Sequence, residues 1–263
     1  MTNVRDFARF KAEHRKISMV TAYDAWSARL VARSDVDAIL VGDSAAMVVH
    51  GHPTTVSATV AVMALHTAAV SRAANDKFLI ADLPFLSYRR GLRAAMRAVG
   101  TLVRSGAHAV KLEGVDGHKQ VIRQVVGSGV PVMGHLGLTP QSVNGFGGFR
   151  VQGRESADAE RILHRAHALE DLGCFAIVLE CIPRELAARI TSELTIPTIG
   201  IGAGPCTDGQ VLVLQDLWGV GGDHVPRFVR RYVEGDAVLT EALNRYDADV
   251  KSVRFPGVAE TYS

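Results

Sequence analysis

The sequence predicts an α/β protein built as a single (β/α)8 TIM barrel. Eight short apolar runs alternate with segments that carry the apolar spacing of a helix, which is typical of βα units and a parallel sheet. The length of 263 residues is close to the ~250 that one barrel needs. No Pro/Ser linker or change of composition marks a second domain, so we expect one barrel domain over residues 1–263 with a C-terminal helical extension.

Each strand is predicted where a short apolar run stops at a glycine, a proline or a charged residue. The run Ile39–Val41, closed by Gly42, is too brief for a helix and fits a strand that is buried on both faces. The predicted strands are Ser18–Tyr23, Ala38–Val41, Phe78–Ala81, His108–Glu113, Val130–His135, Phe175–Glu180, Pro197–Gly204 and Val211–Leu214.

Helices are predicted where apolar residues recur every three to four positions between these strands. The predicted helices are Ala25–Arg33, Ala58–Ala74, Leu92–Arg104, Lys119–Val126, Glu155–Leu172, Arg184–Glu193 and one that begins after Asp236. The segment Gly137–Arg154 breaks this alternation, because it is rich in glycine and polar residues and lacks a helical period. Loops of this length in compact domains usually cover or line a binding site.

The composition argues against several classes of protein. The 29 basic and 27 acidic residues give a net charge of +2, which is too even to indicate nucleic acid or an anionic membrane as a partner. The three cysteines lack a C-x-x-C spacing and favour a reducing compartment. Neither a signal peptide nor a membrane span is visible. We therefore expect a cytoplasmic protein.

In a barrel of this kind the active site lies at the C-terminal ends of the strands. The residues at those ends are Tyr23 and Asp24, Asp43 and Ser44, Asp82, Lys111 and Glu113, His135, Glu180, the Gly200–Gly204 segment and Asp216. A single aspartate after a strand more often caps a helix or shapes a turn than binds a ligand. Seven of these eight ends supply an ionisable side chain, however, which core packing does not require. We therefore expect a catalytic site at the C-terminal ends of the strands, the mouth of the barrel.

The charges of these side chains indicate their roles. The carboxylates of Asp43 and Asp82, with Glu113, suit a hard divalent cation such as Mg²⁺, held directly or through water. Lys111 shares a strand face with Glu113 and either binds a substrate carboxylate or forms a structural ion pair. A cation and a lysine at one mouth suit a small 2-oxo acid, because the metal polarises the ketone and acidifies the neighbouring C–H.

Glu180 is the candidate general base, because it follows the apolar run Phe175–Leu179, where partial desolvation favours proton uptake. His135 either donates a hydrogen bond to the substrate or satisfies a backbone carbonyl. Cys181 is expected to pack rather than to react, since no basic neighbour in the sequence stabilises a thiolate there.

Taken in order, the motifs of the chain resemble the ketopantoate hydroxymethyltransferase (3-methyl-2-oxobutanoate hydroxymethyltransferase) family over nearly its whole length. They are VGDS (41–44), ADLPF (81–85), KLEG (111–114), GHLGLTPQS (134–142), FGGFRVQGR (146–154), GIGAG (200–204) and DGQ (208–210). The resemblance implies a TIM barrel of the phosphoenolpyruvate/pyruvate-binding type. It also implies Mg²⁺-dependent hydroxymethyl transfer from 5,10-methylenetetrahydrofolate to 3-methyl-2-oxobutanoate, which gives 2-dehydropantoate for pantothenate and coenzyme A synthesis.

The resemblance also assigns roles position by position. It implies that Asp43, Asp82 and Glu113 bind the metal and that Glu180 accepts the proton. The contacts that it implies for the oxo acid are Asp43, Ser44, Asp82 and Lys111. Members of the family form large homo-oligomers, commonly decamers, so we expect a homo-oligomer here.

Two segments depart from the family pattern. After Gly-Asp-Ser the family usually continues Leu-Gly-Met, whereas this chain has Ala45-Ala46-Met47. Alanine replaces glycine without strain only where φ is negative. The segment Gly219–Pro226 also diverges.

Two other functions stay open. The first is another metal-dependent lyase that cleaves a C–C bond of a 2-oxo acid on the same barrel, and the second is a catalytically silent oligomeric paralogue.

Overall fold

The structure, a computed structural model, describes residues 2–222 and 225–262. Within them, eight parallel strands pair in chain order and the last pairs with the first, which confirms the predicted (β/α)8 barrel. The strands are β1 (Ile17–Thr21), β2 (Ala38–Val41), β3 (Phe78–Asp82), β4 (Ala109–Lys111), β5 (Val132–Gly137), β6 (Ala176–Glu180), β7 (Thr198–Ile201) and β8 (Gly209–Leu212).

Helices lie between the strands and at both ends of the chain. They are α1 (Val4–Ala12), α2 (Ala25–Ala32), α3 (Ala45–Val48), α4 (Val60–Ala73), α5 (Leu92–Arg104), α6 (Lys119–Gly127), α7 (Val143–Phe146), α8 (Ser156–Asp171), α9 (Arg184–Glu193), α10 (Leu214–Trp218) and α11 (Gly235–Lys251). Single 3₁₀ turns are formed by Thr55–Ser57, Pro140–Ser142 and Val258–Glu260. The predicted irregular loop after β5 therefore contains a 3₁₀ turn and the short helix α7.

The last strand lies two residues before its predicted position. The sequence predicts Val211–Leu214, whereas β8 is Gly209–Leu212. Gly209 has no apolar side chain to mark a strand, and a Cβ there would lie only 2.4 Å from the carbonyl oxygen of Ile17 on β1. The prediction that Asp216 ends a strand is consequently wrong, because Asp216 lies in α10.

The barrel interior is filled by side chains that alternate with outward-facing ones along each strand. The buried inward-facing residues include Met19, Leu40, Ile80, Ala109, Met133, Val178, Ile199 and Val211. Two positions later, the same face continues with the charged or polar side chains of Asp82, Lys111, His135 and Glu180. These polar groups therefore form the C-terminal layer of the barrel interior, directly above its apolar core.

Helix α1, which the sequence patterns do not predict, closes the N-terminal end of the barrel. The ring of Phe7 is fully buried and packs against the rings of Phe78 and Phe175, with centroid distances of 5.7 and 5.4 Å. The Lys11 Nζ atom lies 2.9 Å from Oδ2 of Asp208. The apolar and ionic contacts together anchor α1 beneath the strands.

The structure divides into two compact units, Met1–Val213, which holds the whole barrel, and Leu214–Ser263, which holds α10 and α11. That the chain forms a single domain stays a prediction.

No helix among the described residues is both long enough and apolar enough to span a membrane. Asp223 and His224, in the divergent Gly219–Pro226 segment, lie outside the described residues.

The alanines that replace the family's Leu-Gly pair fit their surroundings. Ala45 and Ala46 lie in α3 and are buried. Neither is among the described non-glycine residues with positive φ. The substitution of glycine by alanine at this position therefore strains no backbone.

We expect Phe7→Ala to lower the free energy of unfolding by about 3–5 kcal/mol, because it leaves a cavity beside the rings of Phe78 and Phe175. The matched control is Phe149→Ala, since that ring is 54% exposed and its loss should cost less than about 0.5 kcal/mol. Denaturant unfolding followed by circular dichroism measures both changes. Equal stability of Phe7→Ala and the wild type would contradict the role of α1 as part of the core.

Candidate active site

Asp43 and Asp82 lie side by side at the mouth, although Asp43 follows β2 and Asp82 is the last residue of β3. The backbone N–H of Asp43 donates to Oδ2 of Asp82 at 3.0 Å. Both side chains are almost completely buried. Burial raises the pKa of Asp43 well above its usual value, and the negative charges of Asp82 and Glu113 raise it further. The pair is thus a concentration of negative charge that a cation would stabilise.

Lys111 supplies positive charge from the neighbouring strand. It is the register partner of Asp82 across β3 and β4, and its Nζ atom lies 2.9 Å from Oδ1 of Asp82. Burial alone would lower the pKa of Lys111, but the carboxylates of Asp82, Glu113 and Asp43 outweigh it and raise the pKa above its usual value. The ammonium group therefore stays charged. Of the two alternatives for Lys111, the ion pair is present in the structure.

His135 lies between the lysine and two glutamates. Its Nδ1 atom is 3.2 Å from Nζ of Lys111, and its Nε2 atom is 3.2 Å from Oε2 of Glu180. Nδ1 also lies 3.5 Å from Oε1 of Glu113, so each ring nitrogen faces a carboxylate. Burial and Lys111 lower the pKa of His135, but the carboxylates of Glu113 and Glu180 outweigh them and raise it to about 9. The ring is therefore protonated near neutral pH.

Glu180 is the last residue of β6, and its side chain is only 16% exposed. Gly137 of β5 permits this approach of the two strands, because its φ is +92° and a Cβ would lie 2.1 Å from the carbonyl oxygen of Glu180. The next residue, Cys181, is half-buried, and burial together with the charge of Glu180 raises the pKa of its thiol to about 12. The thiol is therefore protonated near neutral pH, as expected of a residue that packs.

Ser44 and Asp24 have different positions at the rim. The Oγ atom of Ser44 lies 2.8 Å from the hydroxyl of the buried Tyr23, beside Asp43. Asp24 instead caps α2, because its Oδ1 accepts the N–H of Ser27 at 2.8 Å. Two strand-end aspartates with similar local sequence thus serve different purposes, and Asp24 is a structural cap.

Gln141 and Tyr88 belong to the site but are not revealed by the sequence pattern. The side-chain amide of Gln141 donates to Oδ2 of Asp43 at 2.8 Å, and its backbone N–H donates to Oε2 of Glu113 at 3.0 Å. The Tyr88 hydroxyl donates to Oε1 of Gln141 at 2.9 Å. Neither residue is charged or ends a strand. The one available signal is the place of Gln141 within the motif GHLGLTPQS, in the long segment after the fifth strand.

The oxygen atoms at the mouth are of the kind that a hard divalent cation binds. Oε1 of Glu113 and Oδ1 of Asp82 are buried and make no hydrogen bond, although the first lies 3.5 Å from Nδ1 of His135 and the second forms an ion pair with Lys111. Buried polar atoms are nearly always hydrogen-bonded unless another ligand satisfies them. No three His, Cys, Asp or Glu side chains of the described residues already converge on one metal position. The carboxylate oxygens that make no hydrogen bond fit a hard cation such as Mg²⁺, which takes one or two carboxylates and completes its coordination with water.

A separate cavity of about 660 Å³ lies next to the mouth. Its lining includes Gly114, Gly137, Phe146, Arg161 and Arg165. The volume is within the range of small-molecule sites. The candidate catalytic and metal-binding side chains are not part of its lining, because they point into the barrel.

The chain matches the family model of ketopantoate hydroxymethyltransferase over residues 1–258. It is 56% identical to a 3-methyl-2-oxobutanoate hydroxymethyltransferase of Bdellovibrio bacteriovorus over 263 residues, which is 100% of both chains. It is 53% identical to the enzyme of that name from Coxiella burnetii over 255 residues, 97% of this chain and 96% of the relative.

Solved structures with the same fold are more distant in sequence. A phosphoenolpyruvate phosphomutase from Streptomyces platensis subsp. rosaceus aligns with a TM-score of 0.65 at 12% identity, over 100% of this chain and 92% of the other. A phosphonopyruvate hydrolase in complex with oxalate and Mg²⁺ aligns with a TM-score of 0.64 at 12% identity, over 99% and 93%. These structural similarities show that the chain shares the barrel fold. The family of the chain is shown by the family model and by the full-length relatives, which are more than 50% identical to it. The chain belongs to the ketopantoate hydroxymethyltransferase family.

Proposed function

We propose that this enzyme transfers a hydroxymethyl group from 5,10-methylenetetrahydrofolate to 3-methyl-2-oxobutanoate, with Mg²⁺ as its cofactor. The product is 2-dehydropantoate, for pantothenate and coenzyme A synthesis. The observation that carries the proposal is the layer of buried carboxylates, a charged lysine and a separate glutamate at the mouth of one barrel. Overall, the oxo acid, the folate and water give 2-dehydropantoate and tetrahydrofolate, so one hydrogen at C3 is replaced by CH₂OH.

Mg²⁺ would be held by the carboxylates of Asp43 and Asp82, with Glu113 acting directly or through water. When bound, the cation polarises the ketone of the oxo acid and stabilises the negative charge that develops there. The oxygen donor set and the buried oxygens of Asp82 and Glu113 that make no hydrogen bond support this assignment. The complex of a structural neighbour with Mg²⁺ and oxalate supports it as well.

The protein side chains bind the oxo acid and move its proton. The ammonium of Lys111 binds the substrate carboxylate, and Ser44 and His135 offer further hydrogen bonds at the rim. Glu180 accepts the proton from C3, and the electron pair of the broken C–H bond forms the new C–C bond to the one-carbon unit. The two C–N bonds of that unit break in the overall reaction. Water supplies its hydroxyl group, and the two folate nitrogens take up the remaining hydrogen of the water and the proton from C3. The imidazole of His135, whose Nε2 atom lies 3.2 Å from Oε2, keeps the carboxylate of Glu180 in place for this step by an ion-pair contact.

We also propose that the enzyme works in the cytoplasm as a homo-oligomer, a decamer by its resemblance to the family. Exposed apolar side chains support an association of subunits. Leu30 of α2 is 47% exposed and Leu65 of the adjacent α4 is 67% exposed. Apolar side chains of this size are commonly covered at subunit interfaces.

We expect the wild type to exchange the C3 hydrogen of 3-methyl-2-oxobutanoate with deuterated water, and only with a divalent metal present. Glu180→Gln should slow this exchange at least about 100-fold, because the amide cannot accept the proton. Proton NMR of the substrate measures the loss of the C3 signal. The matched control is Glu185→Gln, an exposed glutamate on α9 whose loss should leave the rate unchanged.

The outcomes of this exchange assay separate the candidate functions. Exchange that persists in Glu180→Gln rules out Glu180 as the base. Absence of exchange in the wild type favours the catalytically silent paralogue. Formation of 2-dehydropantoate on addition of methylenetetrahydrofolate distinguishes the transferase from a lyase.

We expect Lys111→Met to raise the KM for the oxo acid about 10–100-fold, because a charge-assisted hydrogen bond to the substrate carboxylate is lost. Steady-state kinetics at saturating Mg²⁺ measure the effect, and circular dichroism verifies that the variant is folded. Lys119→Met, at the exposed start of α6, is the matched control. An unchanged KM in folded Lys111→Met would show that the lysine has only its structural ion pair with Asp82.

A further inference from the structure

We propose that Gln141 is a positioning residue for the metal centre. It holds one oxygen of Asp43 and one oxygen of Glu113, and so directs the remaining oxygens of both carboxylates to the cation. The inference rests on the proposed Mg²⁺ dependence and adds a residue that the family resemblance did not assign.

The contacts of Gln141 join two carboxylates that follow different strands. Its Nε2 atom donates to Oδ2 of Asp43 at 2.8 Å, across 98 positions of the chain. Its backbone N–H donates to Oε2 of Glu113 at 3.0 Å. Oε1 of Glu113 is left buried without a hydrogen bond. Gln141 therefore divides the carboxylate of Glu113 into one oxygen that accepts a hydrogen bond and one that makes none, although Nδ1 of His135 lies 3.5 Å from the second.

The orientation of the Gln141 amide is fixed by its other neighbours. Nε2 also donates to the carbonyl oxygen of Leu83 at 2.9 Å, and Oε1 accepts from the Tyr88 hydroxyl at 2.9 Å. A flipped amide would place Oε1 against two acceptors, the carboxylate of Asp43 and the carbonyl of Leu83. Since Gln141 is only 6% exposed, water cannot compensate such a flip, and the amide is held as a donor towards Asp43.

Tyr88 connects this amide to the backbone that carries Glu113. Its hydroxyl oxygen accepts the backbone N–H of Glu113 at 3.3 Å, and the ring is almost completely buried. The single hydrogen of the phenol goes to Oε1 of Gln141, the nearer of its two acceptors. Tyr88 thus fixes Gln141 and the position of Glu113 together.

The side-chain amide of Gln141 carries no net charge, which suits a residue that orients metal ligands. A lysine or arginine in the same place would neutralise Asp43 and Glu113 and would compete with a divalent cation for them. An amide satisfies one oxygen of a carboxylate and leaves its negative charge for the metal. Residues that orient metal ligands in this way typically change metal affinity by about 10–100-fold when they are replaced.

The test is the affinity for Mn²⁺ without substrate, measured by isothermal titration calorimetry. We expect Gln141→Met, which keeps the length but removes the donor, to weaken Mn²⁺ binding about 10–100-fold. Tyr88→Phe, which leaves Gln141 in place but frees its Oε1, should weaken it in the same direction by a smaller factor. Gln120→Met on the exposed face of α6 is the matched control and should leave the dissociation constant unchanged.

A second measurement separates positioning from loss of structure. In Gln141→Met, raising the Mg²⁺ concentration should restore most of the C3 hydrogen exchange, whereas a misfolded site would not recover. If the wild type binds Mn²⁺ and both Gln141→Met and Tyr88→Phe bind it equally well, the inference is overturned while the proposed function stands. A wild type that binds neither Mn²⁺ nor Mg²⁺ overturns the metal assignment itself.

Discussion

The mutual repulsion of buried carboxylates is the constraint on which this site depends. Asp43, Asp82 and Glu113 are each less than 5% exposed, with Lys111 as a buried cation among them. Burial raises the pKa of Asp43 and of Asp82, although Lys111 opposes the shift at Asp82. Such an arrangement destabilises the ionised carboxylates unless more positive charge is supplied. In the proposed function, a divalent cation would supply that charge and would also polarise the ketone of the oxo acid.

The barrel makes this arrangement possible, because it separates the apolar contacts that stabilise the fold from the charges. Alternate positions of each strand fill the interior from the aromatic cluster around Phe7 up to Met133 and Val178. The polar layer then follows on the same strand faces, with Lys111 and Asp82 in direct register. Rigid strands thus hold side chains from distant parts of the chain at fixed separations.

The barrel and most of the charged residues at its mouth could be predicted from the sequence, because an apolar run that stops at a charged residue is a local signal. That signal cannot tell Asp24, which caps α2, from Asp43, which lies in the carboxylate cluster. It also misplaces β8, since the start of that strand at Gly209 is decided by close contact with β1. Gln141 carries no charge, and its role follows only from contacts with residues far away in the chain.

The most direct test of the carboxylate cluster as a cation site is X-ray diffraction from crystals soaked with Mn²⁺ and 3-methyl-2-oxobutanoate. The anomalous signal of Mn²⁺ locates the ion independently of any assumed ligand. The account predicts one strong peak in contact with carboxylate oxygens of Asp43 and Asp82, with the oxo acid between the ion and Lys111. A strong peak elsewhere, or none at this mouth at saturating Mn²⁺, would contradict it.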